Sequence, residues 1–341
     1  MAEPLTRSRI TMADVAKRAG VSTATVSRVL SETAPVATET ADRVRAAIAE
    51  LSYRPHPAAQ VLAGRQTKTL GLFLPELSGS YFAPMLRGIE SEARQNGISL
   101  LVFSNAENGS IPVPTSYPLG EHNTIGLLVF TDSLPDAELA RLHGMHFPVV
   151  LMHRPSPGDL DIPCVTVENK AGARKLVNHL IETHGCRRIA FLRGPEGNED
   201  SYWREMGYIR ALESHGIAFD PSLVTVGGFN EAEAHAAVAL WLEQGIEFDA
   251  IFAGDDDAAT GTIGALLEAG KRVPADVLVG GFDDVPLSRH LNPPLTTVRS
   301  PIEMVGRAAV RQLLCLIRQE PVESTVLLPT ELIIRRSCGC G

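Results

Sequence analysis

Residues 11–30 read TMADVAKRAGVSTATVSRVL and predict two short helices that are separated by a glycine. Thr11 and Asp14 have the spacing of a capping box, in which a hydroxyl and a carboxylate satisfy the free amides of a starting helix. The first helix should end at Gly20, because glycine adopts positive φ at little cost. Ser22 is a favourable N-cap residue, so a second helix should start there.

The second predicted helix has two different faces. Its apolar residues recur at helical spacing and predict a buried face, formed by Val26, Val29 and Leu30. Small, hydroxyl and guanidinium side chains predict an exposed face, formed by Thr23, Ala24, Ser27 and Arg28. Two such helices indicate a helix-turn-helix, whose second helix fits the major groove of DNA. A helical hairpin with a polar outer face is the alternative for this motif alone.

A third helix and a short connector should follow. The segment ADRVRAAIAELSY has apolar residues at helical spacing that would complete a three-helix core: Val44, Ile48 and Leu51. Thr38 can cap this helix, and Pro55 ends it. The next segment, PAAQVLAGRQT, contains a predicted helix between Pro57 and Gly64. A helix of about seven residues is too short to be stable alone, so we expect it to order only against a partner.

Strand-length apolar runs alternate with helical segments from Leu70 onward. Such runs, with helices between them, indicate strands buried on both faces of a parallel sheet. The chain of 341 residues is too long for one core, so we expect two sheets with a ligand cleft at the carboxyl ends of their strands. Residues 107–121, ENGSIPVPTSYPLGE, are rich in proline and should contain no full-length helix.

Charge is distributed unevenly along a chain whose formal net charge is −9. Residues 1–69 hold ten Lys or Arg and six Asp or Glu, whereas the remaining residues hold 21 basic and 34 acidic side chains. A basic head on an acidic body indicates that only the head approaches phosphates. No apolar run has the length of a membrane span, and the first residues lack the apolar core of a signal peptide, so we expect a cytoplasmic protein.

The five cysteines form no regular framework, which favours reduced thiols. Cys338 and Cys340 form a lone C-x-C that lacks a second pair of ligands, so we expect no metal site and no cofactor. His143 and His146 are too isolated to indicate a metal. The sequence contains no GxGxxG after a strand, no GxxxxGK[ST], no HExxH and no GxSxG, which argues against the common enzyme motifs.

The run DVAKRAGVSTATVSRVL, followed by AAIAELSYRPHPAAQVLAGRQTKTLG, resembles the lactose-repressor (LacI) family of bacterial transcription regulators. The resemblance implies a small all-α helix-turn-helix head and an α/β periplasmic-binding-protein-like core of two doubly wound parallel-sheet subdomains. The implied domains are 1–55 for the head, 56–69 for the hinge helix and linker, and 70–341 for effector binding and dimerisation. Within the core, the N-subdomain would hold about 70–163 and 294–326, and the C-subdomain about 164–293 and 327–341. The chain would cross between them near Cys164, Pro293 and Leu327.

The resemblance also implies which residues contact DNA. It assigns base edges to Thr23, Ala24 and Arg28, and phosphates to Ser22, Thr25 and Ser27. Arg28 can donate two hydrogen bonds to one guanine base. In the family, the residue that matches Leu62 is a wedge between base pairs of the minor groove, and the neighbouring Ala63 and the cap residue Thr11 complete the expected DNA-binding set. The operator should be a palindrome with a central CG step.

For the effector, the resemblance points to four residues at the cleft: Phe82, Arg204, Asp255 and Asp283. Paired Asp and Arg side chains suit the vicinal hydroxyls of a sugar or polyol. Alternatives remain open at this stage. Arg204 could instead pair with Glu205 or Glu199 on the surface, and Phe82 could belong to the core. Asp256 or Asp284 could simply cap a helix.

These inferences predict a sequence-specific transcription regulator, most simply a repressor, whose DNA affinity is set by a small molecule. We expect a homodimer, since no leucine heptad follows Arg336 to form a tetramer. The sequence leaves open whether the effector releases the operator or is needed to bind it. The two rival functions are a solute-binding protein for transport and a sugar-modifying α/β enzyme with a helical appendage.

Overall fold

A computed structural model describes residues 10–31, 34–53, 68–104 and 117–340. The chain divides into two compact units, residues 1–68 and 69–341, which are described separately below. The predicted hinge helix, with Leu62 and Ala63, lies outside the described residues, as does most of the proline-rich segment 107–121. No helix in the described part of the chain is long and apolar enough to cross a membrane.

The described residues of the first unit form three helices: α1 (Met12–Ala19), α2 (Thr23–Ser31) and α3 (Thr38–Glu50). The predicted capping box is confirmed, because Thr11 N donates to Asp14 Oδ2 at 2.8 Å and Asp14 N donates to Thr11 Oγ1 at 3.4 Å. Gly20 ends α1 in the left-handed region, with φ of 65°. The local signals in the sequence therefore set the boundaries of α1.

The three helices share one apolar core. Val15, Val26 and Val44 are fully buried at its centre. The predicted cap on α3 is wrong: Ala37 occupies the N-cap position, and no side chain caps the helix. Because the hydroxyl of Thr38 falls on the first helical residue, one position too late, α3 depends on packing rather than on a cap.

The described core contains two six-stranded sheets. The first sheet has the order β11-β5-β4-β3-β1-β2, and its strands are all parallel. It is formed by β1 (Thr69–Leu74), β2 (Ser99–Ser104), β3 (Leu127–Phe130), β4 (Val149–Met152), β5 (Cys164–Val167) and β11 (Thr325–Leu328). The helices of this subdomain are α4 (Phe82–Gln95), α5 (Asp136–Gly144) and α10 (Ile302–Ile317).

The second sheet has the order β12-β10-β9-β8-β6-β7. It is formed by β6 (Ile189–Arg193), β7 (Val224–Val226), β8 (Ala250–Ala253), β9 (Leu278–Asp283), β10 (Thr296–Arg299) and β12 (Glu331–Ile333). The helices of this subdomain are α6 (Asn169–His184), α7 (Glu199–Ser214), α8 (Glu231–Glu243) and α9 (Asp256–Glu268). The prediction of parallel doubly wound sheets holds except at one edge, where β12 runs antiparallel to β10.

Two glycines allow the helices α4 and α10 to pack in close contact. A Cβ atom on Gly306 would lie 2.4 Å from the Met85 carbonyl oxygen, and one on Gly88 would lie 2.1 Å from the Glu303 carbonyl oxygen. Real Cβ atoms do not approach backbone so closely, so only glycine fits at either position. The first subdomain is therefore built on a glycine-mediated helix pair.

The predicted crossings near Cys164, Pro293 and Leu327 lie too early in the chain. The strands β5 and β11 belong to the first sheet and β10 belongs to the second, so the chain crosses immediately after each of these three strands. The reason is that each strand pairs along its whole length before the chain leaves its sheet: Leu327 pairs with Thr166 inside the first sheet. The three crossings consequently lie beside the carboxyl ends of the strands.

Candidate functional site

The second helix of the first unit exposes the face that the sequence predicts. Thr23, Ala24 and Arg28 are exposed, whereas Val26 is fully buried against the other two helices. Ser22 caps the helix, because Thr25 N donates to Ser22 Oγ at 3.1 Å. The Ser22 and Thr25 hydroxyls also lie 2.9 Å apart in a hydrogen bond, at the exposed amino end of the helix. This end of α2 presents hydroxyls and amides that suit phosphate contacts.

Between the two subdomains of the core, Arg204 lies at the centre of a buried polar network. Only 3% of Arg204 is exposed, and its Nη1 donates to the Gly254 carbonyl at 2.7 Å. Its Nε donates to Asn169 Oδ1 at 2.8 Å, and its Nη2 lies 3.4 Å from Asp283 Oδ1. The guanidinium also lies 3.9 Å from the centroid of the Phe282 ring, a cation–π contact. Arg204 and Asp283, which the family resemblance assigns to the cleft, therefore lie side by side.

The alternative of a surface ion pair for Arg204 is wrong. Glu205 instead binds Arg193 at 2.6 Å, and Glu199 accepts a hydrogen bond from Trp203 Nε1 at 2.6 Å. Arg204 pairs with neither glutamate because it lies on the buried face of α7, whereas Glu199 and Glu205 are only partly buried.

Asp283 ends β9 with a strained backbone. Its φ of 102° lies in the left-handed region, which costs a non-glycine residue of order 1–3 kcal/mol and is found mostly at functional sites. Ser300 Oγ donates to Asp283 Oδ1 at 2.8 Å. Burial raises the pKa of Asp283, while Arg204 and Ser300 act in the opposite direction. The carboxyl of Asp283 is thus held between Arg204 and Ser300.

A second carboxyl, Asp200, connects the network to the first subdomain. Asn169 Nδ2 donates to Asp200 Oδ1 at 2.7 Å, and His153 Nδ1 lies 2.8 Å from Asp200 Oδ2. The other ring nitrogen of His153 makes a 2.7 Å hydrogen bond with the Tyr81 hydroxyl. Burial acts to raise the pKa of Asp200, but His153, Arg204 and Asn169 together lower it below its ordinary value. Tyr81 and His153 belong to the first subdomain, so this chain of contacts spans the cleft.

A further contact between the subdomains joins the loop before α4 to helix α9. Ser80 Oγ donates to Asp257 Oδ1 at 2.9 Å, and Ser80 N donates to Asp257 Oδ2 at 3.3 Å. Both bonds are partly buried. The subdomains are thus held together by short polar contacts, which a ligand could replace or strengthen.

The predicted effector residue Asp255 is the N-cap of α9. Its Oδ1 accepts from Ala258 N at 2.8 Å, and burial, assisted by Asp283 and Asp257, raises its pKa to about 8. The neighbouring Asp256 is not a cap: its carboxylate accepts from Thr297, Ser288 and Val285 and fixes the segment after β9.

Two further expectations about the cleft are settled by the packing. Asp284 caps no helix, because it binds Arg299 at 2.7 Å and Arg335 at 2.6 Å. Phe82 is 7% exposed and belongs to the hydrophobic core of the first subdomain, where it stacks edge-on against Phe130. The preceding residue, Tyr81, is the aromatic side chain that joins the polar network.

Four residues of the network were not predicted from the sequence: His153, Asn169, Asp200 and Ser300. Three of them, His153, Asn169 and Ser300, lie within two residues of the carboxyl ends of strands that face the cleft, so the strand-end rule could have found them. Asp200 lies four residues before Arg204 and so shares its helix face.

A cavity of about 320 Å³ adjoins this network at the edge formed by β5 and β11. Asn169 belongs to both the network and the cavity wall, and Trp203 lines the cavity with its ring 5.5 Å from Lys170 Nζ. A cavity of this size can hold a small organic molecule.

Comparison with known proteins matches each of the two units to a known protein family. Residues 11–56 match the family of bacterial regulatory proteins of the lacI type, and residues 177–338 match the periplasmic binding protein-like domain. The ribose operon repressor of Halalkalibacterium halodurans is 34% identical over 332 residues, which cover 97% of this chain and 98% of that protein. The transcriptional regulator GalR of Escherichia coli is 33% identical over 326 residues, which cover 96% and 94%.

A solved structure has the same fold. The Lac repressor dimer bound to operator and the anti-inducer ONPF superposes with a TM-score of 0.80, is 28% identical, and covers 97% of this chain and 99% of that one. This chain belongs to the LacI family of bacterial regulatory proteins and is a transcription regulator.

Proposed function

We propose that the chain is a homodimeric repressor that binds a palindromic operator and is controlled by a sugar or polyol in the cleft between its subdomains. The observation that carries this proposal is the buried network of Arg204, Asn169, Asp200 and Asp283 at the carboxyl ends of the strands. The network holds both strong donors and carboxylate acceptors close to a cavity, which is the chemistry that recognises vicinal hydroxyls.

Related proteins support the class of ligand. A structure titled as the transcriptional regulator CelR in complex with cellobiose is 30% identical, covers 96% of this chain and 100% of that chain, and has a TM-score of 0.71. In this chain, Arg204 would donate to ligand oxygens while Asp283 and Asp255 accept from ligand hydroxyls. We propose that the ligand is bound without being turned over.

On the DNA side, Thr23, Ala24 and Arg28 would face base edges from α2, and Ser22, Thr25 and Ser27 would contact phosphates. Thr11 would contribute from the start of α1. Leu62 and Ala63 would enter the minor groove from the hinge, as the family resemblance implies. The exposure of the first three residues and the capped amino end of α2 support this assignment.

Control would depend on the contacts that join the subdomains. A ligand that replaces the His153–Asp200 or Ser80–Asp257 contacts binds more tightly at one closure angle of the subdomains than at another. This difference in affinity shifts the equilibrium between the two closure angles. A coupling of 1–3 kcal/mol, the usual range, gives about 5- to 150-fold regulation. We infer that the closure angle alters whether the connector between Pro57 and Gly64 folds as a helix.

Two measurements test this function. A panel of sugars, polyols and nucleosides should raise the melting temperature of the protein for the cognate class only, because a ligand bound by the folded state stabilises it. Binding of the same ligand should change Trp203 fluorescence, since Trp203 lines the cavity beside the network. A stabilising ligand that leaves Trp203 silent at saturation would place the effector elsewhere.

DNA binding is tested separately. The full-length protein should bind a palindromic duplex selected from a random library, with an affinity that falls steeply between two salt concentrations. Replacing residues 57–64 by a glycine–serine tether should abolish both tight binding and the effect of the ligand. Unchanged operator affinity with regulation intact would refute the hinge mechanism.

A further inference from the structure

Four potential metal ligands converge where the carboxyl end of α6 meets the last residues of the chain. They are His179, His184, Cys338 and Cys340, and their ligand atoms all lie within 4.8 Å of one another. The sequence led us to expect no metal here, because a lone C-x-C lacks a second pair of ligands. That premise fails, because the fold brings two histidines from α6 to the two cysteines.

The distances between these atoms match a tetrahedral site. Cys338 Sγ lies 3.5 Å from His179 Nε2, and Cys340 Sγ lies 3.7 Å from His179 Nε2 and 3.3 Å from His184 Nε2. Bond lengths of about 2.3 Å for Zn–S and about 2.0–2.1 Å for Zn–N place a sulfur and a nitrogen roughly 3.6 Å apart in a regular tetrahedron. Three of the four sulfur–nitrogen separations are therefore close to those that a zinc ion requires, and all six separations are within 4.8 Å.

Local structure holds the two cysteines in place. Cys338 is fully buried at the end of a short 3-10 helix, and Gly339 then turns the chain with φ of 87°, so that Cys340 returns to the same point. Ser337 anchors this turn, because its Oγ donates to the Val279 carbonyl at 2.6 Å and accepts from Thr296 N at 2.8 Å. The turn is thus fixed by contacts with the second sheet.

Two outer contacts suit a bound metal. Thr183 Oγ1 lies 3.2 Å from His179 Nδ1, which leaves Nε2 as the nitrogen that faces the sulfurs. Thr296 Oγ1 lies 3.0 Å from Cys338 Sγ and 2.9 Å from the Arg335 carbonyl, so its single hydrogen can turn to the sulfur once that sulfur is a metal-bound thiolate. Metal-binding histidines usually have such a partner on the second ring nitrogen, which fixes the ring and its tautomer.

We propose that His179, His184, Cys338 and Cys340 bind Zn²⁺ in a closed tetrahedral site that fastens the carboxyl end of the chain to α6. The site is separate from the effector cleft: Asn169 and His184 are the two ends of α6, and 15 helical rises span about 22 Å. A site with four protein ligands keeps no open position for a substrate, so its role is structural. Effector binding should not require the metal directly.

Cobalt substitution of the full-length, reduced protein tests the proposal. Titration with Co²⁺ in a phosphine reductant should give one equivalent per chain with intense visible bands of tetrahedral Co²⁺ and a thiolate-to-cobalt charge-transfer band in the near ultraviolet. One equivalent of Zn²⁺ should remove both. The absence of these bands, or bands of a six-coordinate ion, would overturn the proposal.

Matched variants identify the ligands. Cys340→Ser and His184→Gln should abolish the tetrahedral spectrum, whereas Cys315→Ser and His215→Gln, which lie outside the cluster, should retain it. Circular dichroism and effector binding check that each variant folds. A cobalt spectrum unchanged in Cys340→Ser would refute the assignment.

Alkylation of the unmodified chain gives a second readout that does not depend on variants. Zn²⁺ should protect the partly exposed Cys340 from a thiol reagent without protecting Cys315, which is also partly exposed. If mass spectrometry instead found a Cys338–Cys340 disulfide that formed equally in the presence of Zn²⁺, the cluster would be a redox pair and the metal proposal would be wrong.

Discussion

Arg204 Nε donates to Asn169 Oδ1 at 2.8 Å, and the same Asn169 donates through Nδ2 to Asp200 Oδ1 at 2.7 Å. One amide therefore orients a buried cation and a buried anion at once. The amide is placed by the crossing that follows β5, so its position depends on the junction between the subdomains. This arrangement ties the geometry of the ligand-binding side chains to the segment about which the subdomains would turn.

Asn169→Ala should destabilise the protein, because it removes a hydrogen-bond partner from Arg204 and from Asp200 together. A buried polar group that loses its partner costs about 1–3 kcal/mol. We expect the free energy of unfolding, measured by urea denaturation, to fall within that range. Arg210→Ala is the matched control, because Arg210 pairs with Glu213 on the exposed face of α7 and should cost less than about 1 kcal/mol. Equal losses in the two variants would contradict the role given to Asn169.

Asp255→Asn should stabilise the protein, and more at high pH than at low pH. Burial raises the pKa of Asp255 to about 8 in the folded state, whereas its pKa in the unfolded state is near 3.8. Between these two pH values the folded state therefore keeps a proton that the unfolded state releases. Stability should therefore fall as pH rises from about 4 to about 8 through this group. Asparagine removes the charge and keeps the N-cap on α9.

Melting temperatures at pH 5 and pH 8 check this prediction. The increase in melting temperature caused by Asp255→Asn should be larger at pH 8 than at pH 5. Asp255→Ala also loses the cap, so its increase should be smaller at both pH values. A gain that is independent of pH would show that Asp255 is ionised throughout the range.

Gly306→Ala should destabilise the first subdomain. Its Cβ would lie 2.4 Å from the Met85 carbonyl oxygen, so α4 and α10 must separate, and overpacking of this kind costs about 1–3 kcal/mol. Gly144→Ala provides the control, because apart from its chain neighbours and its own helix backbone no described atom lies within 4 Å of the added Cβ, and alanine there should be neutral or stabilising by up to about 1 kcal/mol. Denaturation curves in which both variants behave alike would refute the close-packing argument.

The features that could be predicted from the sequence are those that arise from local contacts or from the strand-end rule. Thr11, Asp14 and Gly20 act within one or two turns of their own helix, so their spacing alone fixed α1. Arg204 and Asp283 were assigned to the cleft from the family resemblance, and the strand-end rule accounts only for Asp283, which ends β9, because Arg204 lies within α7. The His153–Asp200 contact and the cluster of histidines and cysteines join distant segments, and no spacing in the chain encodes such pairs.

The final prediction concerns the recognition of DNA bases by α2. Arg28→Ala should reduce the preference for the selected palindrome over random DNA by about 5- to 150-fold, because a bidentate contact with guanine contributes about 1–3 kcal/mol of discrimination. Binding to random DNA should change little, since phosphate contacts supply most of the nonspecific affinity.

Arg45→Ala tests whether the loss of one positive charge is sufficient to explain this effect. Arg45 pairs with Asp42 on α3 and is exposed, so its removal should lower both affinities slightly and leave their ratio unchanged. Fluorescence anisotropy with the two duplexes at one fixed salt concentration measures that ratio. If Arg28→Ala weakened both complexes to the same extent, Arg28 would be a phosphate contact, and base reading would have to come from other residues of the exposed face of α2.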